Sequence, residues 1–137
     1  MIEETRVEVQ HSPKVLVVED NPLNMKLFSV LITAQGYDVL QAPDGVKGLE
    51  LAREHHPDLI LMDMQLPGIS GLDVTRILKD DERTRSIPVV VTTAHIASGD
   101  DARIRECGCD GFLAKPIAIS EFLSLIDSFL TGKMNDS

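Results

Sequence analysis

An apolar run that ends in a carboxylate constrains this fold more than any other stretch of the chain. Residues 59–62 read Leu-Ile-Leu-Met, Asp63 follows directly, and a Pro-Gly pair at 67–68 turns the chain soon afterwards. An unbroken apolar run of that length, preceded by Pro57, is typical of a strand buried on both faces in a parallel sheet. Asp63 is therefore expected at the carboxyl end of a strand, the edge of an open α/β sheet where ligands bind.

The same alternation of strand and helix patterns repeats along the chain. Apolar runs predict strands at 14–18, 37–42, 59–63, 88–93 and 111–114, and amphipathic segments predict helices at 22–35, 46–56, 72–80, 98–108 and 120–130. Each unit has the length of a βαβ crossover. Right-handed crossovers then predict an α/β fold, a doubly wound five-stranded parallel sheet with five helices.

The length of 137 residues accommodates one such domain. We place the domain at 14–130. Residues 1–13 carry three glutamates and no partner segment, which predicts a disordered arm, and 131–137 are expected to form a frayed tail.

Apolar residues at helical spacing indicate which side of each predicted helix faces the core. In the first three helices the expected core residues are Leu27, Phe28, Leu31, Ile32, Val46, Leu49, Ala52, Val74, Ile77 and Leu78. In the fifth helix, which Ser120 is expected to cap, they are Phe122, Leu123, Ile126, Phe129 and Leu130.

Two further apolar residues of the first helix, Leu23 and Val30, lie on another side, beyond what one buried face requires. Two interpretations stay open for them: neighbouring loops cover them, or they form a docking surface for a partner.

Composition narrows the cellular setting and the partners. The formal net charge of −9 opposes non-specific attraction to nucleic acid or to an anionic membrane surface. No apolar run approaches the length of a membrane span, and the acidic first residues do not fit a secretion signal. We therefore expect a cytoplasmic protein that binds neither nucleic acid nor membrane.

Functional groups of complementary kinds follow four of the predicted strands. Glu19 and Asp20 follow the first strand, Asp63 the third, Thr93 the fourth and Lys115 the fifth. Converging carboxylates repel one another unless a cation neutralises them. A hard divalent ion such as Mg²⁺ suits this set of oxygen ligands.

A carboxylate held against Mg²⁺ beside a lysine and a threonine is equipped to attack a phosphoryl group and form an acyl phosphate. In such a transfer the metal and the lysine balance charge on the phosphoryl oxygens, and the threonine donates a hydrogen bond. Asp63 would be the nucleophile, with Lys115 and Thr93 in the supporting roles.

Motifs in the same order and at the same spacing resemble those of the receiver domain of two-component response regulators. They are Val-Glu-Asp-Asn at 18–21, Leu-Met-Asp-Met at 61–64 with Leu-Pro-Gly at 66–68, Thr-Ala at 93–94 and Lys-Pro at 115–116. The resemblance covers roughly residues 14–130 and implies the flavodoxin-like receiver fold. Residues 20–28 and 35–37 look most similar to a single-domain cell-cycle regulator of that family.

The resemblance implies a role for each matching residue. Asp63 would accept a phosphoryl group from a histidine on a partner, either a sensor histidine kinase or a histidine phosphotransfer protein. Asp20 and Asp63 would bind Mg²⁺ directly, the backbone carbonyl of Gln65 would be a further ligand, and Glu19 would act through water. Lys115 would pair with the phosphoryl group. The protein would receive its own phosphoryl group and hydrolyse it, rather than turn over an external substrate.

The resemblance also implies a switch. Thr93 would move towards the phosphoryl group, helped by the backbone N–H of Ala94, while Phe112 turns inward. The position of His95, with Gln65, corresponds to a pair that tunes hydrolysis of the aspartyl phosphate. A neutral His95 would order a water and a charged one would bind phosphoryl oxygens, or it is an exposed loop residue. Lys-Pro at 115–116 matches the cis peptide of the family.

Two surfaces are expected to bind proteins. The face formed by the fourth helix, fifth strand and fifth helix is the usual switch surface of the family, and here it carries Arg103, Arg105, Glu106, Glu121 and Ser124. Leu23 and Val30 are the candidates for docking the helical bundle of a kinase.

Several other functions use similar residues. A phosphatase of the haloacid-dehalogenase type needs a second acidic residue where this chain has Gln65, so that class fits poorly. A phosphorelay intermediate, a scaffold receiver that is never phosphorylated, and a receiver domain cut from a hybrid kinase all stay open.

Overall fold

The computed structural model describes residues 12–94, 102, 104 and 106–135. The strands are β1 (Lys14–Val18), β2 (Asp38–Ala42), β3 (Leu59–Asp63), β4 (Val89–Thr93) and β5 (Gly111–Ala114). The helices with defined ends in this part are α1 (Pro22–Ala34), α2 (Gly45–His55), α3 (Gly71–Asp80) and α4 (Ile119–Asn135).

All strand pairs are parallel, and the sheet has the order β2-β1-β3-β4-β5. The three central strands are almost entirely buried, whereas edge strands β2 and β5 each have one buried residue and otherwise consist of half-buried and exposed residues. This difference follows from position, because only central strands have neighbours on both sides and helices on both faces. The predicted doubly wound parallel sheet is confirmed.

Two hydrophobic clusters fill the two faces of the sheet. One joins alternate strand residues such as Leu16, Ile60 and Val91 to α2 and α3. The other joins Val17, Leu61 and their neighbours to Phe28, Ile32, Phe122 and Ile126 of α1 and α4. The rings of Phe28 and Phe122 stack at 5.3 Å, so α1 and α4 contact each other as well as the sheet.

The ends of α1 follow from local sequence. The side chain of Asn21 accepts hydrogen bonds from the backbone of Leu23 and Asn24 at 2.9 and 3.1 Å, and Pro22 occupies the first turn. At the other end Gly36 adopts a φ of +96°, which an L-residue rarely tolerates.

Three residues predicted to face the core are instead exposed to solvent. Leu27 is 48% exposed, Val46 70% and Ile77 37%. Each helix packs on the sheet through a stripe narrower than its full set of apolar residues; in α1 the fully packed residues are Phe28 and Ile32. Leu27, Val46 and Ile77 are therefore not core residues, and the prediction for them is wrong.

The last helix differs from the prediction at both ends. It begins at Ile119, so Ser120 lies inside the first turn rather than at the cap. It continues to Asn135, beyond the expected end at Leu130. Nothing there stops it: no proline intervenes, and Gly132 costs a helix only about 1 kcal/mol relative to alanine.

Some predictions fall outside the described residues. Residues 1–11 of the predicted arm are among them, as is most of the predicted fourth helix, of which Ala102, Ile104 and Glu106 are described and helical. Within the described ranges, no helix combines the length and apolar character that crossing a bilayer requires.

Candidate functional site

The carboxyl ends of β1 and β3 bring three carboxylates together. Glu19 and Asp20 directly follow β1, and Asp63 ends β3, the strand paired with it. One oxygen atom from each of the three side chains lies within 4.8 Å of the others. This acidic cluster can hold a metal ion, as strand-end placement predicted.

Glu19 is held in a buried position that leaves one oxygen atom without a hydrogen bond. Its side chain is 3% exposed, and Oε2 accepts a hydrogen bond from the backbone N–H of Asn21 at 3.1 Å. Oε1 is buried and makes no hydrogen bond. Burial and the nearby charge of Asp63 raise the pKa of Glu19 above its ordinary value. Both observations indicate a site that lacks positive charge.

The strand end and the following loop fix the orientation of Asp63. The side chain is 4% exposed, and Oδ1 accepts a hydrogen bond from the backbone N–H of Gln65 at 3.0 Å. The N–H of Gly71 donates to the carbonyl of Met64 at 2.9 Å. A Cβ atom at Gly71 would overlap the Asp63 carbonyl oxygen, so only glycine lets α3 start this close to the strand end.

Lys115 reaches the carboxylates from β5 without closing onto either of them. Its backbone N–H donates to the carbonyl of Thr93 at 2.7 Å, which fixes the chain beside β4. Its Nζ lies 3.6 Å from Glu19 Oε1 and 3.6 Å from Asp63 Oδ2. Charge-assisted hydrogen bonds are about 2.7–2.9 Å long, so Lys115 forms a longer ion pair with each carboxylate rather than a hydrogen bond.

A family model described as the response regulator receiver domain matches residues 15–127. The chain belongs to the response regulator receiver domain family. The polar-differentiation response regulator DivK of Brucella ovis is 55% identical over 116 residues, which cover 85% of this chain and 94% of that protein. The similarity to a single-domain regulator inferred from residues 20–28 and 35–37 is thereby confirmed.

Solved receiver domains share the fold. One belongs to a sensor histidine kinase of Pseudomonas aeruginosa and holds a magnesium ion in its active site cleft; it is 30% identical, with a TM-score of 0.81 over 88% of this chain and 98% of that one. Another, from a signal transduction histidine kinase of Syntrophus aciditrophicus, is 29% identical, with a TM-score of 0.83 over 88% and 92%.

The residues that the receiver resemblance assigns to the switch lie at the ends of β4 and in β5. Thr93 is buried at the end of β4, and Ala94 is exposed directly after it. Phe112 is 45% exposed and so lies outward. The Lys115-Pro116 peptide is cis, as expected for a receiver domain. His95 lies outside the described residues.

Both expected protein-binding surfaces of the receiver domain are accessible where they are described. Leu23 is 78% exposed and Val30 56%, and no described loop covers them. On the other surface Glu106, Glu121 and Ser124 are exposed, while Arg103 and Arg105 fall outside the described residues.

Sequence reasoning missed two residues that position the site. Asn21 supplies the N–H that holds Glu19 and also caps α1, and Gly71 admits α3 against Asp63. In the sequence, Asn21 directly before Pro22 is a recognisable signal for the start of a helix. The role of Gly71 was not readable, because a glycine after a Pro-Gly turn looks like one more loop residue.

Proposed function

We propose that this receiver domain accepts a phosphoryl group on Asp63 in a Mg²⁺-dependent reaction and thereby switches a protein-binding surface. The observation that supports it most strongly is the buried Glu19 Oε1 atom, which makes no hydrogen bond and has only a 3.6 Å ion pair with the ammonium of Lys115. Lys115 supplies one positive charge beside three carboxylates, and burying carboxylates that are not fully neutralised is costly, which favours a site that is completed by a bound cation.

The donor set fits Mg²⁺. Asp20 and Asp63 would bind the ion directly, the backbone carbonyl of Gln65 would add a third protein ligand, and Glu19 would act through water. Mg²⁺ usually takes one or two carboxylates and fills its other positions with water and phosphate oxygens. When bound, it offsets negative charge on the phosphoryl oxygens.

Each protein group then has a defined part in the transfer. An oxygen of the Asp63 carboxylate attacks phosphorus, and the bond from phosphorus to the donor breaks with its electron pair going to the donor. Lys115 pairs with one phosphoryl oxygen across the 3.6 Å gap. Thr93 and the backbone N–H of Ala94 donate hydrogen bonds to another phosphoryl oxygen. Phe112 turns inward as Thr93 moves. Gln65 and His95 set the rate of hydrolysis.

The donor is a histidine kinase or a histidine phosphotransfer protein that docks on α1. Four apolar positions of this helix, Leu23, Leu27, Val30 and Ala34, are exposed at spacings of four, three and four residues. This spacing is that of a coiled-coil seam, which packs against other helices. A helical bundle presenting a phosphohistidine therefore suits both the surface and the site.

The output is a protein bound on the face of β5 and α4. Phe112, Leu113, Ser120, Glu121, Ser124, Leu125 and Ser128 line an open groove there of about 570 Å³. A change at Phe112 alters the floor of this groove directly. Because the match spans 94% of the DivK protein, we propose a DivK-like regulator that works in the cytoplasm by protein contacts and turns over no external substrate.

The test is phosphorylation by a small donor. The protein is incubated with acetyl phosphate and either Mg²⁺ or EDTA, and intact mass is measured beside an Asp63→Asn variant. One phosphoryl group should add to the parent with Mg²⁺ only, and none to the variant. Addition to both proteins would place the acceptor elsewhere, and addition to neither, with Mg²⁺ binding demonstrated, would favour a scaffold receiver.

The docking surface is tested separately. Leu23→Ala combined with Val30→Ala should slow transfer from a cognate histidine kinase about tenfold or more and leave acetyl phosphate labelling unchanged. Val46→Ala is the matched control, since Val46 is 70% exposed but lies on α2. Equal transfer rates for all three proteins would remove α1 as the docking site.

A further inference from the structure

A crevice adjoins the phosphoryl-accepting site between α1 and the segment after β5. It is lined by Asn24, Leu27, Phe28, Lys115, Pro116 and Ile117 and has a volume of about 220 Å³. Cavities that bury a drug-sized ligand measure about 300–1,000 Å³, so this one has room for a small group but not for a nucleotide.

The walls of the crevice are mostly apolar, and its polar end is shared with the site. Leu27, Phe28 and Ile117 supply hydrocarbon surface. Phe28 is 4% exposed and stacks on Phe122, which makes that wall rigid. Lys115 lines the crevice, and its Nζ lies 3.6 Å from Asp63 Oδ2. A molecule whose phosphoryl group meets Lys115 can therefore place its organic part against Leu27 and Ile117.

We propose that this crevice binds the organic part of small acyl phosphates and makes the domain prefer donors with an apolar acyl chain over acetyl phosphate. The inference rests on Asp63 being the phosphoryl acceptor. Each methylene that leaves water for an apolar wall is worth about a fourfold gain. A crevice open on one side gives less, so two added methylenes should give about three- to tenfold.

The chemical step is the same for every acyl phosphate. Asp63 forms a bond to phosphorus, and the bond from phosphorus to the acyl oxygen breaks with its electron pair staying on that oxygen. The products are the aspartyl phosphate and a free carboxylate, and no proton is required. Chain length therefore changes only how well the donor is held.

The experiment compares acetyl phosphate with butyryl phosphate, using intact mass to follow the rate of phosphoryl addition in Mg²⁺. The full chain is compared with two crevice variants, Ile117→Ala and Ile117→Thr, and with the control Val46→Ala. The butyryl-to-acetyl rate ratio should be about three to ten in the parent and in Val46→Ala. It should fall towards one in the two crevice variants, with acetyl phosphate rates within about twofold of the parent.

Two results would overturn the proposal. A ratio near one in the parent would show that the crevice does not hold the acyl chain. If Ile117→Ala also slowed transfer from a histidine kinase, the crevice would be assigned to the protein donor instead. An unchanged ratio in both crevice variants would place selectivity elsewhere. No addition from either donor would instead contradict the proposed function itself, so the two failures are distinguishable.

Discussion

Two lysines of similar burial have very different partners. One lies at the edge formed by the amino ends of the strands, and the other at the edge formed by their carboxyl ends. At the amino edge, Lys79 is 18% exposed and its Nζ donates to Asp110 at 2.8 Å and to the carbonyl of Ile87 at 2.7 Å. At the carboxyl edge, Lys115 is 23% exposed and remains 3.6 Å from both Glu19 and Asp63. Of these two lysines at the ends of the strands, one donates short hydrogen bonds to its partners and the other forms only longer ion pairs.

The difference separates an ammonium that is neutralised within the fold from one that lies beside the candidate site. Asp110 also accepts a hydrogen bond from the backbone of Val89 at 2.8 Å, so the amino edge neutralises its charges within the fold. The carboxyl edge sets three carboxylates beside Lys115 and leaves Glu19 Oε1 unpartnered. The positive charge that this acidic cluster lacks is what a bound metal ion would supply.

Removing the amino-edge lysine should have the largest effect on stability. Lys79→Met leaves Asp110 without its ion-pair partner and the Ile87 carbonyl without the ammonium that donates to it, and we expect a loss of about 2 kcal/mol in the free energy of unfolding, measured in urea. Phosphorylation by acetyl phosphate should be unchanged.

A surface lysine provides the control for that variant. Lys47 forms an exposed pair with Glu50 at 3.4 Å, and Lys47→Met should cost less than about 0.5 kcal/mol. Equal losses for Lys47→Met and Lys79→Met would mean that the amino-edge network does not stabilise the fold.

The corresponding change at the carboxyl edge should reverse this balance. In saturating Mg²⁺, which would offset the charge that Lys115→Met removes, we expect a stability loss of about 1 kcal/mol or less, because the ammonium lies 3.6 Å from Glu19 and Asp63 and hydrogen-bonds neither. Phosphoryl addition from acetyl phosphate should fall about a hundredfold, since the group that faces the developing charge is gone. A variant that is strongly destabilised and yet phosphorylated at the normal rate would contradict both halves of the comparison.

The pH dependence of stability should reveal Glu19. Because its pKa is raised in the folded state, the folded protein binds this proton more tightly than the unfolded chain does. Stability should therefore fall as pH rises from about 4.5 through the folded pKa, and Glu19→Gln should lack that fall. Unfolding of both proteins in EDTA at pH 5 and pH 7.5 measures this difference. If stability changed with pH in the same way in both proteins, Glu19 would not be the source of the pH dependence.

The smallest effect is expected at Thr92. Its hydroxyl is buried in β4 and, like Glu19 Oε1, makes no hydrogen bond. Unlike the Glu19 carboxylate, the hydroxyl carries no charge. Thr92→Val should be neutral or stabilise the fold by less than about 1 kcal/mol without changing phosphorylation. If Thr92→Val slows phosphoryl addition, this hydroxyl serves the site and the distinction between the two unpartnered atoms is wrong.

The sheet and the composition of the site were predictable because both follow from local patterns. Apolar runs locate strands, and in a parallel sheet every carboxyl end meets at one edge, which places Glu19, Asp63 and Lys115 together before any contact is known. The family motifs then add the residue roles. The gap of 3.6 Å and the unpartnered oxygen atom of Glu19 depend on side-chain packing, which no local pattern encodes.

The misassigned residues show where such reasoning ends. Leu27 and Val46 fit the helical period of a core stripe, yet both are exposed, because periodicity cannot say how wide the packed stripe is. Ser120 resembles a helix cap, but the helix starts one residue earlier. The crevice beside Lys115 joins Asn24 of α1 to Ile117, residues 93 positions apart whose proximity depends on the tertiary fold.

The most direct test of the account is whether Mg²⁺ completes the carboxyl edge. Urea unfolding is measured with increasing Mg²⁺ for the parent and for Asp63→Asn. Binding to the folded state alone should stabilise the parent by about 1.4 kcal/mol at ten times the dissociation constant, and the variant by less than half of that at the same concentration. Equal stabilisation of the two proteins, or none in the parent, would contradict a metal site built around Asp63.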